Sequence, residues 1–438
     1  MPSLVAILLQ RSWIAFSGLA VTVLVALCLT PQLQGWYYAF VSLAAVYTLF
    51  DMGLAQVLIS VAPKLGGLQG DAAVSTSTEQ FKSLMRQSAR LYSWLGLAYF
   101  VLIIPAGILF FWSGTRTEPI PRAEWLWPWI SLVTATSSAI ALMPFLALIE
   151  GGGKVTEVAL LRLSQGVFGS LACWWMLWQG AGLWAVVMVP AVGVLVTSIW
   201  LKLRYSGLLV IAFDHGKEMR RHATQNSLTW STEVWPLQWR FGMSWFASYM
   251  LTQIYTPMLF YLSGSVAAGQ MGVSFAIANM LAVISNAWTS RHVSVMAQLV
   301  IDRDWLHLDR VFKKDIMHST LFYVFSALVL CLAHHVLEPT KYGQRVLPFW
   351  PFAGLLMIGL ITHLTGSLAS QLRAFQKEPL VWVMLLGAAF IVPLAFYAAS
   401  HYAAAGVISV IFLVQAGFVL PASVLVWWRS QRELRSEI

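Results

Sequence analysis

Charge is the first scarcity. Only 10% of the 438 residues are Asp, Glu, Lys or Arg, against 59% hydrophobic, and the mean hydropathy is +0.72. A water-soluble chain of this length needs far more charge to cover its surface, so a soluble protein is excluded and a polytopic membrane protein is implied. Cysteine is scarce too. Cys28, Cys173 and Cys331 stand singly in different apolar runs, which leaves no disulfide framework and no thiolate metal site. No His, Cys and carboxylate group has metal-ligand spacing, and no glycine-rich phosphate loop is present, so neither a metal nor direct ATP use is expected. No cofactor is implied by any motif. Long polar segments are missing outside the membrane, where the largest covers 113–124, so there is no room for a soluble catalytic domain and an enzyme is not expected. No small-residue cleavage site follows Arg11 before Pro31, so the first span is expected to remain as an anchor.

What is there is a series of apolar runs of spanning length. They lie at 8–29, 36–62, 88–112, 125–149, 156–178 and 183–203, and resume at 239–263, 270–291, 317–337, 348–371, 379–399 and 405–428. The reading is an all-α membrane protein of about twelve helices. It divides into an N-lobe (1–203), a cytoplasmic linker (204–238) and a C-lobe (239–438). The stretch Trp230–Trp245 closes the longest polar segment, and the hydrophobic layout then starts again. Landmarks pair across the halves: Ser12-Trp13 with Ser244-Trp245, Gln34-Gly35 with Gly269-Gln270, Lys154 with Lys377. An even number of spans per half makes the repeats parallel, which places a site between two pseudo-symmetric six-helix lobes near the midplane.

With both termini inside, 23 of the 27 Lys and Arg face the cytoplasm; only Arg116, Arg122, Lys341 and Arg345 fall outside. The net charge of +9 is therefore topological, and nucleic acid is excluded as a partner. Tryptophans such as Trp112, Trp178, Trp200 and Trp428 sit near span ends, as an interfacial belt requires.

Asp51 is the conspicuous charge at membrane depth. It stands too far from either end of its span to snorkel, so it is paired, protonated or facing water. Two roles fit: a helix–helix hydrogen bond, or a cavity carboxylate that couples transport to an ion. Arg240, Ser244, Ser248 and Thr252 form a row at helical spacing, as do Gly359, His363, Ser367, Ser370 and Gln371. Asn279, Asn286 and Ser290 share a face that leads to Arg291. Lipid rejects such faces, so they point into the bundle, as interhelical glue or as the lining of a hydrated cavity. Arginines near the inner ends (Arg11, Arg90, Arg162, Arg240, Arg291 and Arg373) either snorkel to headgroups or form a basic vestibule for an anionic headgroup. Arg240 and Arg291 head polar rows and are the better placed for the second role.

The motifs Glu233-Val-Trp-Pro-Leu-Gln-Trp-Arg240, Ser244-Trp245, Pro257-Met-Leu-Phe260 and Ala268-Gly-Gln-Met-Gly272 resemble one branch of the bacterial polysaccharide flippases. These are the O-antigen (Wzx-like) proteins of the multidrug/oligosaccharidyl-lipid/polysaccharide (MOP) exporter superfamily. Gln34-Gly-Trp-Tyr-Tyr38, Phe50-Asp-Met-Gly-Leu54 and Glu150-Gly-Gly agree, with Asp51 where the family has Glu. The resemblance runs nearly end to end.

It implies a V-shaped, MATE-like exporter fold in the bacterial inner membrane. The activity implied is flipping an undecaprenyl-pyrophosphate-linked oligosaccharide, the repeat unit of O-antigen or exopolysaccharide, to the periplasmic leaflet. Membrane lipids and polysaccharide polymerase or assembly proteins are the implied partners. Arg240, Arg291, Ser244, Ser248, Asn286 and His363 are then the expected substrate contacts, and Asp51 the ion-coupling group. The alternative is a cation-coupled drug or metabolite exporter of the same superfamily, which needs more acids at membrane depth. The assigned orientation is checked with cysteines in a background free of the native three. A cysteine replacing Lys314 is expected to react with an impermeant thiol reagent only from the cytoplasmic side, and one replacing Lys341 only from outside.

Overall fold

A computed structural model describes residues 2–65, 79–114, 120–213, 235–375 and 379–437, and every long element among them is a helix. In order these are α1 (Pro2–Cys28), α2 (Pro31–Ala44), α3 (Tyr47–Asp51), α4 (Leu54–Val61), α5 (Glu79–Gly114), α6 (Arg122–Gly151), α7 (Val155–Trp178), α8 (Trp184–Arg204) and α9 (Ser206–Phe213). They continue as α10 (Trp235–Thr252), α11 (Tyr255–Ser263), α12 (Ser265–Arg291), α13 (Val293–Ile301), α14 (Trp305–Leu337), α15 (Phe349–Ala374), α16 (Val381–Val414) and α17 (Leu420–Glu437). Among the described residues, eight helices are long and apolar enough to cross a membrane, or nine if one bent pair counts as a single span. The protein is a multi-pass membrane protein.

Each of the twelve apolar runs falls on a helix or a broken pair of helices. The runs 379–399 and 405–428 meet at Ala403, whose φ of 49° and ψ of −138° interrupt α16. Phe390 and Phe418 have ring centroids 5.9 Å apart, whereas a straight helix would separate them by ~42 Å. The chain therefore folds back at Ala403 into a hairpin, as two spans require.

The residues form two compact units. Unit 1 comprises Met1–Leu24 and Phe40–Tyr249; unit 2 comprises Val25–Ala39 and Met250–Ile438. The start of α2 thus counts with unit 2 and most of α10 with unit 1, while much of the expected 204–238 linker lies outside the described residues.

In unit 1, α5 packs along α6, α7 along α8, and α6 also against α8. Lipid tails are as apolar as leucine, so helices here gain from close approach rather than from leaving water. Ser137 Oγ donates to the Gly96 carbonyl at 2.8 Å, an approach that only a residue without Cβ permits. Phe40, Phe111 and Trp129 form a buried aromatic trio with centroids 4.8 to 5.2 Å apart.

In unit 2, α15 is central, touching α12, α13, α14, α16 and α17. The start of α2 lies against α12, where a Cβ on Gly35 would fall 1.8 Å from the Ser265 carbonyl oxygen. Backbone there has no room to yield. Gly35→Val is expected to lower stability by about 1–3 kcal/mol or more, read as an earlier thermal unfolding midpoint in detergent. Gly18→Ala, whose Cβ meets nothing within 4 Å, is expected to leave that midpoint unchanged.

Candidate functional site

Among the described residues, each unit brings polar side chains together on helices of spanning length. In unit 1 they meet where the second span breaks. Met52 (φ 47°) and Gly53 (φ 72°) both adopt left-handed backbone, and the helical run Pro31–Asp51 bends by 44° onto α4. Gly53 fits that conformation at no steric penalty; Met52 does not. Asp51 lies just before the turn, so its carboxylate caps α4: the Ala55 amide donates to Oδ1 at 3.3 Å. The Tyr92 hydroxyl, from α5, donates to the same oxygen at 2.6 Å. A short bond to α5 and an amide at the start of α4 hold the side chain in one place. Asp51 itself is half-buried, not sealed.

A second irregularity lies one turn earlier, at Ala45–Val46. There the amides of Val46, Thr48 and Leu49 bond to the carbonyls of Leu43, Ala45 and Val46, three residues back instead of four. The carbonyls of Ser42 and Ala44 take side-chain donors. Tyr249 Oη of α10 donates to Ser42 O at 3.2 Å, and Tyr99 Oη of α5 to Ala44 O at 2.9 Å. Tyr92 and Tyr99 are seven residues apart, hence on one face of α5. Three tyrosines therefore hold the broken span.

In unit 2 the cluster centres on His363 of α15, which has no exposed surface. Its Nδ1 lies 2.8 Å from Asn286 Oδ1 of α12, and its Nε2 lies 3.1 Å from Ser319 Oγ of α14. The ring stacks on Tyr323, whose hydroxyl donates to the Leu356 carbonyl at 2.9 Å. Farther along α15, Gln371 Oε1 accepts from Trp427 Nε1 of α17 at 2.8 Å. Gln415, in a π-helical turn (Gln415–Val419), accepts from the Thr362 hydroxyl at 3.3 Å.

These positions sort the sequence expectations. Asp51 is hydrogen-bonded to a neighbouring helix and half-buried. His363 and Asn286 are brought together, but both imidazole nitrogens are already engaged, so His363 as observed joins three helices and offers nothing to a cargo. Ser244 is half-buried and Ser248 exposed, both on α10 in unit 1. Arg240 and Arg291 lie on α10 and α12, and their side chains are outside the described residues. Arg162 pairs with Glu150 at 2.8 Å, and Arg204 with Glu157 at 2.9 Å, so neither is a free cation for an anionic cargo. Tyr92, Tyr99 and Tyr249 were missed, because an aromatic at a span's core reads as packing until the broken backbone that it satisfies is seen. Two tyrosines seven apart, facing a span that carries an acid and a glycine, were the available signal.

No family model and no curated protein matches this sequence. Solved structures do. A multidrug resistance MATE family transporter of the MOP superfamily, inward-facing, aligns with a TM-score of 0.61 at 13% identity, over 96% of this chain and 98% of that one. The lipid II flippase MurJ, in an inward closed conformation, gives 0.62 at 10% identity over 97% and 87%. A MOP superfamily transporter from Pyrococcus furiosus, described as having a binding pocket of reversed polarity, gives 0.58 at 11% identity over 98% and 94%. The chain has the fold of MATE/MOP exporters across essentially its whole length.

The bond at Asp51 is open to a double-mutant cycle. Tyr92→Phe and Asp51→Asn are each expected to destabilise unit 1, and the pair together by less than the sum. The coupling expected for a buried hydrogen bond is about 0.5–1.5 kcal/mol, measured from thermal or denaturant unfolding in detergent.

Proposed function

We propose that this protein is a flippase. On this reading it carries an undecaprenyl-pyrophosphate-linked oligosaccharide, the repeat unit of a surface polysaccharide, from the cytoplasmic to the outer leaflet of a bacterial inner membrane by alternating access. The observation that carries the reading is the full-length sharing of a fold with a lipid flippase, in a chain whose polar groups at depth are mainly hydroxyls, amides and imidazole. Such groups suit a glycan, whose hydroxyls are costly to bring into hydrocarbon without hydrogen-bond partners. The motif resemblance to O-antigen flippases supports the same cargo. Arg240 and Arg291 are proposed to meet the pyrophosphate, for which guanidinium forks have the right geometry. Ser244, Ser248 and Asn286 are proposed glycan contacts, and Asp51 is proposed to bind the coupling ion. Polymerase or assembly proteins are proposed to take the product at the outer face.

One observation favours a second reading. Asp51, half-buried and held by Tyr92, is the kind of group that a cation-coupled drug or metabolite exporter uses. The two readings separate in cells lacking the protein. Under the flippase reading a complete lipid-linked repeat unit accumulates on the inner leaflet, and the wild-type chain clears it. Arg291→Ala and Asp51→Ala are expected to lower that clearance at least tenfold. Unchanged lipid-linked glycans together with raised sensitivity to cationic drugs would establish the exporter instead.

A further inference from the structure

A groove of about 530 Å³ runs along the surface of unit 1 between α7 and α8. On α7 its lining positions are 157, 160, 161, 164 and 168, a single stripe at helical spacing. Its walls are apolar: Leu160, Phe168, Ile199 and Leu203 are all exposed, Leu203 by 80%. One end is polar. There Arg204, whose side chain is 56% exposed, donates through Nε to Glu157 Oε2 at 2.9 Å, and the Tyr205 hydroxyl donates to the same oxygen at 3.0 Å. Trp200 lines the groove one turn deeper, its ring 4.9 Å from that of Tyr205 between centroids.

The groove is preformed. On an adjoining face Gln165 donates to the Thr197 hydroxyl, and at Gly169 a Cβ would come 3.3 Å from the Val189 backbone. With the bonds at Glu157, these contacts fasten the two helices at three levels. The helix α8 is long and apolar enough to cross a membrane, so a groove open along it faces lipid. Its length says which part of a lipid fits. Glu157 and Phe168 are eleven residues apart. That is about 16 Å of helix, close to half of a hydrocarbon core of about 30 Å. A fatty acyl chain of one leaflet matches that depth, and a long polyprenyl tail does not.

The chain itself gains only packing contacts, since lipid tails are as apolar as the groove, so preference must come from the polar end. The bond to Glu157 uses Nε of Arg204, and the terminal nitrogens of a guanidinium match phosphate oxygens. Lys202, exposed in the same last turn of α8, adds a positive charge near that pair. We propose that the α7–α8 groove binds a glycerophospholipid of the leaflet at this end, with one acyl chain along Leu160, Phe168 and Ile199 and its phosphate on Arg204. Paired with Glu157, Arg204 does not draw a free anion from water; the chain in the groove brings the phosphate to it. The site goes beyond the transport reading and does not depend on it.

The test places the full-length protein in nanodiscs of phosphatidylethanolamine and phosphatidylglycerol. A trace of the phosphatidylglycerol bears a photoreactive group on one acyl chain, and the labelled positions are mapped by mass spectrometry. Label within 160–168 and 196–203 is expected to exceed that on the exposed α14 residues Leu321 and Phe325 by about fivefold, the scale of one hydrogen bond. Arg204→Gln is expected to remove the excess, and a diacylglycerol with the same photoreactive chain to show none. Glu157→Gln breaks the ion pair but spares the guanidinium, and is expected to keep the excess. Label spread evenly over α7, α8 and α14 overturns the site, because bulk lipid alone then touches it. An excess that survives Arg204→Gln, that the diacylglycerol shares, or that Glu157→Gln also abolishes overturns the phosphate contact. Displacement of the label by equimolar undecaprenyl phosphate overturns the choice of occupant. None of these readouts measures transport, so this proposal can fail with the flippase reading intact, and the reverse.

Discussion

Backbone amides and carbonyls inside a bilayer have no water to bond to, so each must find a partner within the protein. A continuous helix meets that requirement by itself. The second span does not, because it is interrupted at Ala45–Val46 and again at Met52–Gly53. The first interruption leaves carbonyl acceptors without helical donors and the second an amide donor without a helical acceptor, and an unpaired polar group in hydrocarbon costs several kcal/mol. The hydroxyls of Tyr99 and Tyr249 satisfy the first break, while the Asp51 carboxylate and the Tyr92 hydroxyl serve the second. The location of the one carboxylate in this span is therefore fixed by two helices besides its own. A shift of α5 relative to this span must move or break two of these bonds together.

Unit 2 meets the same requirement with different groups. Its central helix α15 is regular, and the polar side chains on it bond outward to its neighbours: His363 to α12 and α14, Thr362 to the π-helical turn before α17, Gln371 to α17. The irregular backbone lies instead at the margins, in the break at His292, the fold-back at Ala403 and the turn at Gln415. A π-helical turn leaves its own carbonyls offset from their usual donors and recurs at functional sites.

How much of this the sequence discloses depends on which periodicity carries it. Spanning runs are a composition signal, and all twelve lie on helices, including the pair that meets at Ala403. The burial of His363, Ser367 and Gln371 follows from their spacing, since three polar residues on one helical face cannot look into lipid. What spacing leaves open is whether such a face meets water or another helix, and here His363 meets other helices. Asp315 was invisible for a different reason. The apolar run begins at residue 317, but α14 begins at Trp305, and its first three turns look like a charged surface helix. Only the burial of that one face separates Asp315 from the exposed Lys313 and Lys314 beside it.

Fold likeness to both a drug exporter and a lipid flippase leaves the cargo to the side chains, and here the distribution of acids matters more than their number. An exporter of organic cations needs a carboxylate that the cargo can approach. Asp315 is enclosed and already carries a histidine, so it cannot take that part without losing its partner. Asp51 is accessible, but Oδ1 is taken up by the phenol of Tyr92 and the amide of Ala55, and both bonds weaken if a cation draws the carboxylate away. A bulky organic cation in addition needs the space that Tyr92 fills. Of the described acids, Asp51 and Asp315 are thus poorly placed for a bulky organic cation, which on the proposed reading leaves the cargo to hydroxyl, amide and guanidinium groups.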